Sequence, residues 1–495
     1  MSSTPVSPVT VVVGSGLAGL TTTLELITHN HKVVLLEKTD RLGGNSAKAS
    51  LGINGCPTIY QHNEDTVEAF RDDTIKSGKG LSDLKLVDVL TLLSKHAIEW
   101  LTQQNKVDLS LVAQLGGHSF ARTHKGSGKL PPGFAIIQAL SSRITELQTA
   151  EPNILTILKN SQLEKIIYNQ PNLKVKGVQY KDAKGSMKTL ETTNIVLATG
   201  GFVADSDQQA LETSLLNKYR PDLLKFPTSN GEQTTGDGQK IAERDVNAAL
   251  IHMDQIQIHP TGFINPKDVN CKWKFLCGEV MRGIGGILLS PTGERFVNEL
   301  STRDIVTEYT LDNCEIKREN EFNLPVGSFA SVLVVSEDDA TKAANHVGFY
   351  KHQGLLQQGT ITDLLELLKK LDPENAKLTK DKLQTTLDEY NNAIVEGKDA
   401  TLGRTVFGHV ITKQFYFGLT TPVLHFAMGG VKIDEHARVY DKKDNIIEGL
   451  YAVGEVSGGL HGGNRLGGSS LLESVVFGKQ ASAHILAQVE SRNHI

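Results

Sequence analysis

The sequence predicts an α/β fold: a parallel sheet with flanking helices, built from both ends of the chain and interrupted by an inserted α+β segment. Three observations predict this arrangement. An apolar strand at Val9–Val13 is followed by a glycine loop and a helical pattern. A second strand ends in a glycine pair at 194–201. Glycine-rich strand and helix sequence returns after residue 420, so the two ends of the chain are expected to share one sheet.

The first glycine loop has the spacing of a dinucleotide-binding turn. Gly14, Gly16 and Gly19 stand between the β-branched run and the helical pattern. In such a turn the first glycine allows the bend, the second lets the backbone approach a pyrophosphate, and the third lets the helix pack closely. Glu37 ends the next strand, 18 residues after Gly19, where an acid can bind ribose hydroxyls. The pattern predicts a Rossmann-like domain with these cofactor-binding residues: Gly14, Ser15, Gly16, Ala18, Gly19 and Glu37.

The segment after Glu37 favours FAD over NAD as the cofactor. A Gly43-Gly44 pair follows Lys38 and lets the chain pass close to a cofactor, while the polar side chains after it offer hydrogen bonds. An acid followed by such a loop resembles the FAD-binding flavoproteins. The loop continues along the expected position of the flavin ring. The candidate FAD-binding residues of this segment are Lys38, Gly44, Asn45, Ser46 and Gly52.

Later glycine segments complete the predicted cofactor site. The strand that starts at Asn194 ends at Thr199-Gly200, as expected for the second half of a dinucleotide-binding sheet. Asp237 precedes a helix predicted from about Gln239, where it can cap the helix or hold a cofactor hydroxyl; both interpretations stay open. A C-terminal glycine loop runs into an apolar helix, whose N–H groups can face the flavin. The candidates of this last part are Glu455, Arg465, Ser470 and Leu471.

The order of these motifs predicts three segments. Residues 1–254 and 421–495 form the two parts of an FAD-binding domain, and residues 255–420 form a capping domain. Within 255–420, apolar residues have strand spacing at 329–335 and helical spacing at 364–371 and 383–394. A polar glycine loop at 114–124, rich in His, Ser and Arg, fits a pocket wall or a solvated loop equally well.

Composition narrows the classes of partner. The 495 residues carry a net charge of −5, which gives no electrostatic reason to expect nucleic acid or an anionic membrane. The four cysteines are scattered without a CxxC spacing, which favours reduced thiols over disulfides or a metal site. No apolar run is long enough to span a bilayer. The first basic residue is Lys32, so a signal or transit peptide is not expected, and we predict a cytoplasmic protein.

A set of motifs in the second half of the chain resembles one family closely. It comprises His259-Pro-Thr, Glu279-x-x-Arg282-Gly, Phe296-Val-Asn-Glu, Thr302-Arg303-Asp, His425-x-x-Met428-Gly-Gly, Gly454-Glu455 and Asn464-Arg465-Leu-Gly-Gly. The set is similar to the flavoprotein subunits of fumarate reductases and succinate dehydrogenases, and the resemblance covers almost the whole chain. It resembles in particular the soluble, single-chain fumarate reductases of yeasts, which similarly carry Leu-Gly-Gly-His-Ser and Lys-Leu-Pro-Pro-Gly.

The resemblance implies reduction of fumarate to succinate with bound FAD. Where succinate dehydrogenase-type subunits attach FAD through a histidine, this chain has Asn45, so non-covalent FAD is expected. The sequence has no haem-binding CxxCH and no iron–sulfur cysteine set. A separate reduced donor, such as a free reduced flavin, is therefore expected to supply electrons.

The residues suggest how a dicarboxylate would be bound and reduced. Hydride would come from reduced flavin N5. Arginine suits a planar carboxylate, so Arg465 is the predicted clamp, with His259 and His425 as additional donors. The resemblance assigns the proton donor to Arg303. Glu279 and Arg282, three residues apart, are expected to share a helix face and form a relay from solvent to Arg303.

Other functions remain open on the sequence alone. Within the same fold, the protein could act on another α,β-unsaturated acid or on an amino dicarboxylic acid, as L-aspartate oxidase does. A non-catalytic flavin redox sensor is a second alternative. Such a sensor would keep the glycine loop and Glu37 but would have no reason to keep Glu279, Arg303 and His425 together.

Overall fold

The structure, a computed structural model, describes residues 9–169, 174–207 and 211–493. Its strands are β1 Val9–Val13, β2 Lys32–Leu36, β3 Ile53–Asn54, β4 Leu111–Ala113, β5 Thr123–Lys125, β6 Leu155–Leu158, β7 Gln162–Asn169, β8 Lys174–Lys181, β9 Met187–Glu191, β10 Asn194–Leu197, β11 Leu250–Ile251, β12 Ile256–Phe263, β13 Ile287–Leu289, β14 Ser331–Ser336, β15 Gln357–Gly359, β16 Phe415–Ala427, β17 Gly430–Lys432, β18 Arg438–Tyr440, β19 Ile446–Ala452 and β20 Ser457–Gly458. Its α-helices are α1 Leu17–Thr28, α2 Val67–Ser77, α3 Leu84–Leu92, α4 Ser94–Glu99, α5 Pro132–Ala150, α6 Leu215–Tyr219, α7 Asp237–Val246, α8 Val280–Gly283, α9 Arg303–Asn313, α10 Glu337–Lys342, α11 Ala344–His352, α12 Ile361–Leu371, α13 Lys380–Glu396 and α14 Ser469–Asn493.

The largest sheet joins the two ends of the chain. Its main path is β6-β2-β1-β10-β19-β8-β7. The first six strands of this path are parallel neighbours, and β7, β9 and β18 add antiparallel pairs at β8 and β19. Because β19 comes from the C-terminal part of the chain and pairs with β10, the predicted α/β fold with a sheet built from both ends is confirmed.

The strand order changes direction between β1 and β10, and this creates the crevice of a dinucleotide fold. From β1 the chain passes through α1 to β2 on one side, while β10 lies on the other side. Ligands bind at such a switch point, beyond the carboxyl ends of the strands. The β1 side chains from Val11 to Val13 are buried, and α1 packs against α14 and α5 over the same core. This core fixes the position of the glycine loop after β1.

A second, antiparallel sheet carries the inserted part of the chain. Its strands run β12-β16-β14-β13, and β15 also pairs with β16. Two apolar clusters within 263–419 pack on this sheet apart from the core of the first sheet. The predicted boundary between residues 420 and 421 falls inside β16, which continues without interruption from Phe415 to Ala427. The division into an FAD-binding and a capping domain therefore stays a prediction, and the name capping domain is kept here for residues 255–420.

A buried ion network stiffens the capping domain behind the predicted catalytic residues. Glu299 accepts hydrogen bonds from Arg295 at 2.9 and 3.0 Å and from Arg404 Nη1 at 2.9 Å. Arg404 also donates to the carbonyls of Arg282 and Gly286, at 2.9 and 2.8 Å. Burial alone would raise the pKa of Glu299, but the charges of Arg295 and Arg404 outweigh burial and hold it below its ordinary value. The network thereby anchors the backbone within α8 and just after it.

Two further features concern membrane-spanning helices and the state of the cysteines. Among the described helices, none combines the length and the apolar character needed to cross a bilayer. All four cysteines, Cys56, Cys271, Cys277 and Cys314, are free thiols. The absence of disulfides agrees with the interpretation of the cysteines drawn from their spacing.

We predict that Glu299→Gln destabilises the fold by about 3 kcal/mol or more, because breaking a buried ion network leaves uncompensated charge. Urea denaturation at neutral pH measures the loss. Since the pKa of Glu299 is lowered in the fold, its contribution is present above the carboxyl's unfolded pKa, about 4.3, and is lost as the pH falls below it. The difference between the variant and wild type should therefore shrink at acid pH.

The matched control is Glu294→Gln, which removes an exposed pair with Lys382. Its effect should stay within about 0.5 kcal/mol, as is usual at the surface. Equal effects of the two substitutions would contradict the assigned role of Glu299.

Candidate active site

A cavity of about 830 Å³ lies between the carboxyl ends of the parallel strands and the capping domain. Its volume is within the range of cofactor and ligand sites. All predicted cofactor-binding residues line it except Gly19: these are Gly14, Ser15, Gly16, Ala18, Glu37, Lys38, Gly44, Asn45, Ser46, Gly52, Thr199, Gly200, Asp237, Glu455, Arg465, Ser470 and Leu471. Of the predicted catalytic residues, Arg303, His425 and Arg465 line the cavity, whereas His259, Glu279 and Arg282 do not.

The three glycines of the first loop have different steric surroundings. Gly14 has φ +100°, and a Cβ there would lie 2.3 Å from the Ala198 carbonyl oxygen. A Cβ on Gly19 would lie 1.9 Å from the Gly14 carbonyl oxygen, so Gly19 serves helix packing rather than contact with a ligand. A Cβ on Gly16 would meet only Ser46 Oγ, at 3.5 Å. Space is therefore left beside Gly16, on the cavity side of the α1 N-terminus, which fits a bound pyrophosphate.

Glu37 is already fully hydrogen-bonded within the protein. Its Oε2 accepts from the Ser15 N–H at 3.1 Å and from Ser15 Oγ at 2.5 Å. Its Oε1 accepts from the Thr39 N–H and from Thr39 Oγ1, both at 2.8 Å. A carboxylate offers about four lone-pair positions, so a ribose hydroxyl would have to displace a hydroxyl of Ser15 or Thr39. The contact of Glu37 with both ribose hydroxyls stays a prediction.

The Asp237 side chain does not cap a helix, and it is already hydrogen-bonded within the protein. It is the first residue of α7, whose N-cap is Gly236, and no side chain caps this helix. Its carboxylate instead accepts from Lys38 Nζ at 2.9 Å and from Thr235 Oγ1 at 2.7 Å. The interpretation of Asp237 as a helix cap is therefore wrong. The pair brings Lys38 and Asp237 together on the cavity wall.

Two residues of the cavity wall differ in what they leave for a cofactor. The Asn45 amide is fully used, since it donates to Asn230 Oδ1 at 2.6 Å and to Thr234 Oγ1 at 2.7 Å, and accepts from the Gly231 N–H at 3.0 Å. The buried Thr199 Oγ1 has no partner among the described residues. An unpaired buried hydroxyl on a cavity wall is a donor that a bound cofactor can satisfy, which fits FAD in this site.

Gln257 joins the two predicted substrate arginines. Its Oε1 accepts from Arg303 Nη1 at 2.8 Å and from Arg465 Nη2 at 3.1 Å. Its Nε2 donates to Asn464 Oδ1 at 3.1 Å and to the Arg465 carbonyl at 2.7 Å. One amide therefore holds two guanidinium groups side by side, although they come from α9 and from the loop before α14.

Several N–H groups of this cluster are buried and unpaired. Arg303 Nη2, Arg465 Nε and His259 Nε2 have no hydrogen-bond partner among the described residues. Leaving a buried donor unsatisfied costs roughly 1–3 kcal/mol, and more for a charged group. The rings of His259 and His425 meet edge to face at 5.4 Å, and His425 Nδ1 lies 2.8 Å from Ser229 Oγ. The cluster is therefore arranged to receive an anion with several acceptor oxygens.

The electrostatics of the cluster favour neutral histidines and an ionised glutamate. Burial and the charge of Arg303 lower the pKa values of both His259 and His425 well below the ordinary value. Burial would raise the pKa of Glu279, but the charges of Arg303 and Arg282 outweigh burial and lower it. The histidines are thus hydrogen-bonding groups rather than acids at neutral pH.

Of the two links in the expected relay, the one between Glu279 and Arg303 is formed. Arg303 Nε donates to Glu279 Oε2 at 3.1 Å, and Glu279 Oε1 accepts from the Gly116 N–H at 2.8 Å. Arg282 Nη1 instead donates to the Glu299 carbonyl at 2.6 Å, while its Nε and Nη2 have no partner among the described residues. Arg282 is also 1% exposed, so it does not reach solvent. No side-chain hydrogen bond joins Glu279 to Arg282 among the described residues, although Arg282 is close enough for its charge to lower the pKa of Glu279. The shared helix face of these two residues stays a prediction.

The 114–124 loop lies outside the cavity lining, and its His118 and Arg122 side chains are buried although Gln114, Gly117 and Ser119 are exposed. Arg122 is fully buried, forms a bidentate pair with Asp65 at 2.7 and 2.8 Å, and donates to Asp73 at 2.6 Å. His118 Nε2 lies 3.0 Å from the Gly467 carbonyl, and burial together with the charge of Arg122 lowers the pKa of His118 to about 4. This loop supports Glu279 and the Arg465 loop from outside the cavity.

Gln257 is the functional residue that the sequence reasoning missed. Side chains two apart on a strand face the same side, and Gln257 precedes His259 by two positions on β12. That alternation was the available signal. It was not used because an uncharged amide carries no catalytic signature of its own.

Comparison with known proteins identifies the family of this chain. A family described as FAD binding domain matches residues 10–471. Fumarate reductase 1 of Saccharomyces cerevisiae is 44% identical over 97% of this chain and 98% of its own length. The fumarate reductase of Schizosaccharomyces pombe is 37% identical over 95% and 88%. This chain belongs to the FAD-binding flavoprotein family that contains these fumarate reductases.

Solved structures agree with this membership. A structure described as the open conformation of a flavocytochrome c3 fumarate reductase has a TM-score of 0.75 and is 29% identical, over 97% of this chain and 78% of that one. A 3-ketosteroid Δ1-dehydrogenase from Sterolibacterium denitrificans has a TM-score of 0.70 at 16% identity, which shows the fold alone. FAD is thus the cofactor of the family to which this chain belongs, and the cavity and its glycine loop fit that cofactor.

We predict that Gly16→Ala leaves folding stability within about 1 kcal/mol but weakens FAD binding at least about tenfold. The backbone at Gly16 is extended, with φ −65° and ψ 179°, which alanine accepts, but the new methyl group would stand where a pyrophosphate must approach. FAD titration of the flavin-depleted protein and urea denaturation measure the two quantities. Gly348→Ala, at a helical position with open space, is the control. Unchanged FAD affinity in Gly16→Ala would contradict this placement of the pyrophosphate.

Proposed function

We propose that the protein reduces fumarate to succinate with bound FAD. The observation that carries the proposal is the shared hydrogen bonding of Arg303 and Arg465 to Gln257 Oε1, at 2.8 and 3.1 Å, on the wall of the FAD cavity. Two adjacent guanidinium groups with unpaired N–H donors suit a dicarboxylate, since arginine binds planar carboxylates bidentately. The family membership of the chain supports the same substrate class.

The rest of the cavity wall also favours an anionic substrate. Lys125 and Lys274 line it, and burial lowers the pKa of each. Lys48 is a third lysine of the wall and lies 5.6 Å from the Trp273 ring. Among the described residues, none of these three lysines forms an ion pair with an acid, so their charge is left for a ligand. A surplus of positive charge in a cleft raises the local concentration of a dianion.

The roles of the chain are to bind, to polarise and to protonate. FAD, when bound, supplies hydride chemistry in its reduced form. Arg465 holds one carboxylate, and His259 and His425 donate hydrogen bonds as neutral groups. As negative charge moves onto a carboxylate during reduction, fixed donors stabilise it without reorganisation. The Arg465 guanidinium is held in place by its cation–π contact with Phe426, at 4.2 Å, and by Gln257.

Arg303 is the proposed proton donor. Its Nε and Nη1 are held by Glu279 and Gln257, which leaves Nη2 as the unpaired end. In the balanced reaction the C=C π bond breaks and two C–H bonds form, one from the hydride and one from a proton that leaves Arg303. Arginine rarely gives up a proton. The proposal therefore requires that a proton return to Arg303 at once through Glu279, which is ionised and must itself receive that proton from Arg282.

The relay from Arg282 to Glu279 to Arg303 is part of this proposal. The Arg303–Glu279 link is in place at 3.1 Å. The two unpaired groups of Arg282, Nε and Nη2, are the donors from which a bridging water or a side-chain rotation would complete the link to Glu279. The buried position of Arg282 means that protons must reach it through the interior of the capping domain.

The electron donor and the compartment are proposed from the sequence. Because the chain has neither a CxxCH motif nor an iron–sulfur cysteine set, we propose a separate reduced donor such as a free reduced flavin. The four free thiols support a reducing compartment, and we propose the cytoplasm.

We predict that the purified protein oxidises reduced methyl viologen when fumarate is added. In the same assay, Arg303→Ala should lower kcat by at least about a hundredfold, the lower range for general acid catalysis. FAD should stay bound in this variant. Arg303→Lys should recover part of the rate if the amine reaches the substrate. Stopped-flow turnover and flavin absorbance measure both. A variant Arg303→Ala that raises only KM would make Arg303 a carboxylate clamp, and a wild-type protein inert toward fumarate would contradict the function itself.

We predict that FAD is bound without a covalent link, because Asn45 offers an amide that is already fully hydrogen-bonded and has no nucleophilic ring nitrogen. Acid precipitation should release all the yellow flavin into the supernatant. Flavin that stays with the precipitated protein would exclude non-covalent binding. Free FAD mixed with the denatured protein before precipitation controls for trapping.

A further inference from the structure

The Ser50 hydroxyl is a polar group of the cavity wall that the proposed mechanism does not use. Ser50 lies in the loop before β3 and lines the cavity. Its Oγ is buried and has no hydrogen-bond partner among the described residues. Burial of an unpaired hydroxyl costs roughly 1–3 kcal/mol. A hydroxyl that is left unpaired on a cavity wall is best explained by a partner that arrives with the ligand.

The position of this hydroxyl is next to the active-site glutamate. A Cβ built on Gly278 would lie 3.2 Å from Ser50 Oγ, and Gly278 directly precedes Glu279, which holds Arg303. Ser50 therefore approaches the catalytic cluster from the FAD-binding side of the cavity, whereas Gly278 and Glu279 approach it from the capping domain.

The Tyr350 hydroxyl, which lies beside Gly278, already has two hydrogen-bond partners. Tyr350 accepts from the Gly278 N–H at 3.1 Å and donates its own hydrogen to the Leu276 carbonyl at 2.9 Å. Both functions of this hydroxyl are thus in use. Ser50 Oγ is thus left as a neutral donor without a partner among the described residues, on a residue that lines the cavity.

The charge around Ser50 favours an anionic acceptor over a neutral one. His346 of α11 hydrogen-bonds the Ser50 carbonyl, and its pKa is lowered by burial and by the nearby charge of Lys125. Lys125 is therefore a cation close to this end of the cavity. A carboxylate oxygen is stabilised in such surroundings more than a flavin carbonyl oxygen is.

We propose that Ser50 donates a hydrogen bond to a carboxylate oxygen of the bound dicarboxylate and so helps to select a substrate with two carboxylates. The proposal rests on the proposed function. A dicarboxylate has four oxygens and more lone pairs than Arg303, Arg465 and His259 satisfy through their unpaired nitrogens. Ser50 would add a donor from the opposite wall.

The test is calorimetric titration of the oxidised, FAD-loaded protein with malonate, a dicarboxylate without a reducible double bond. We expect Ser50→Ala to weaken malonate binding about tenfold, the equivalent of one hydrogen bond to a charged group. Ser50→Thr, which keeps the hydroxyl, should bind within about threefold of wild type. Propionate, with a single carboxylate, should bind both variants as it binds wild type. The flavin absorption spectrum and FAD affinity should not change.

Thr23→Val is the matched control, because Thr23 Oγ1 is also buried and unpaired but lies on α1 and not on the cavity wall. It should leave malonate binding unchanged. Equal malonate affinity of Ser50→Ala and wild type would overturn the proposal, as would an equal loss for propionate. A changed flavin spectrum or FAD affinity with unchanged malonate binding would assign the hydroxyl to the flavin and also overturn it. A wild-type protein that binds no malonate would instead contradict the proposed function.

Discussion

The arrangement of the site depends on one shared acceptor, the amide oxygen of Gln257. Two buried guanidinium groups repel each other, and the repulsion is strong where water is excluded. Gln257 offsets this repulsion by accepting a hydrogen bond from each guanidinium group. The negative charge of Glu279, which accepts from Arg303 Nε, offsets it further. Gln257 lies on β12, Arg303 on α9 and Arg465 in the loop before α14. The two hydrogen bonds to Gln257 can therefore form only when both sheets are in place. The buried ion network at Glu299 then fixes the segment from which Glu279 projects.

The cofactor half and the substrate half of the cavity follow different physical rules. At the α1 N-terminus the backbone supplies the binding groups, so the side chains are small and the glycines leave space for a ligand. At the arginine cluster the side chains supply the binding groups, and their positions need support from behind. Arg122, with Asp65 and Asp73, gives that support on the FAD-binding side. The charged residues buried outside the cavity thus serve to position those that line it.

The sequence was sufficient for the parts of the protein that local pattern determines. The β-branched run, the glycine loop and Glu37 predicted the fold and where the cofactor cavity lies, because strand burial and glycine conformation are local properties. The contacts of Asp237 and Arg282 could not be predicted in this way. Asp237 pairs with Lys38, which is far away in sequence, and Arg282 donates to the Glu299 carbonyl rather than to Glu279. Gln257 was missed because its importance depends on two arginines that only the tertiary fold brings to it.

The uninterrupted course of β16 has a mechanical consequence. This strand crosses the expected boundary between the capping and FAD-binding domains and ends just beyond His425. From Thr420 to Ala427 it pairs with β12, which carries His259, and from Phe415 to Thr420 it pairs with β14. A hinge at residue 420 would have to break this ladder. Any rotation of the antiparallel sheet should instead carry both imidazoles as one rigid body. The distance between the histidines would then be constant through a catalytic cycle, and their distance to the cofactor would be the quantity that changes.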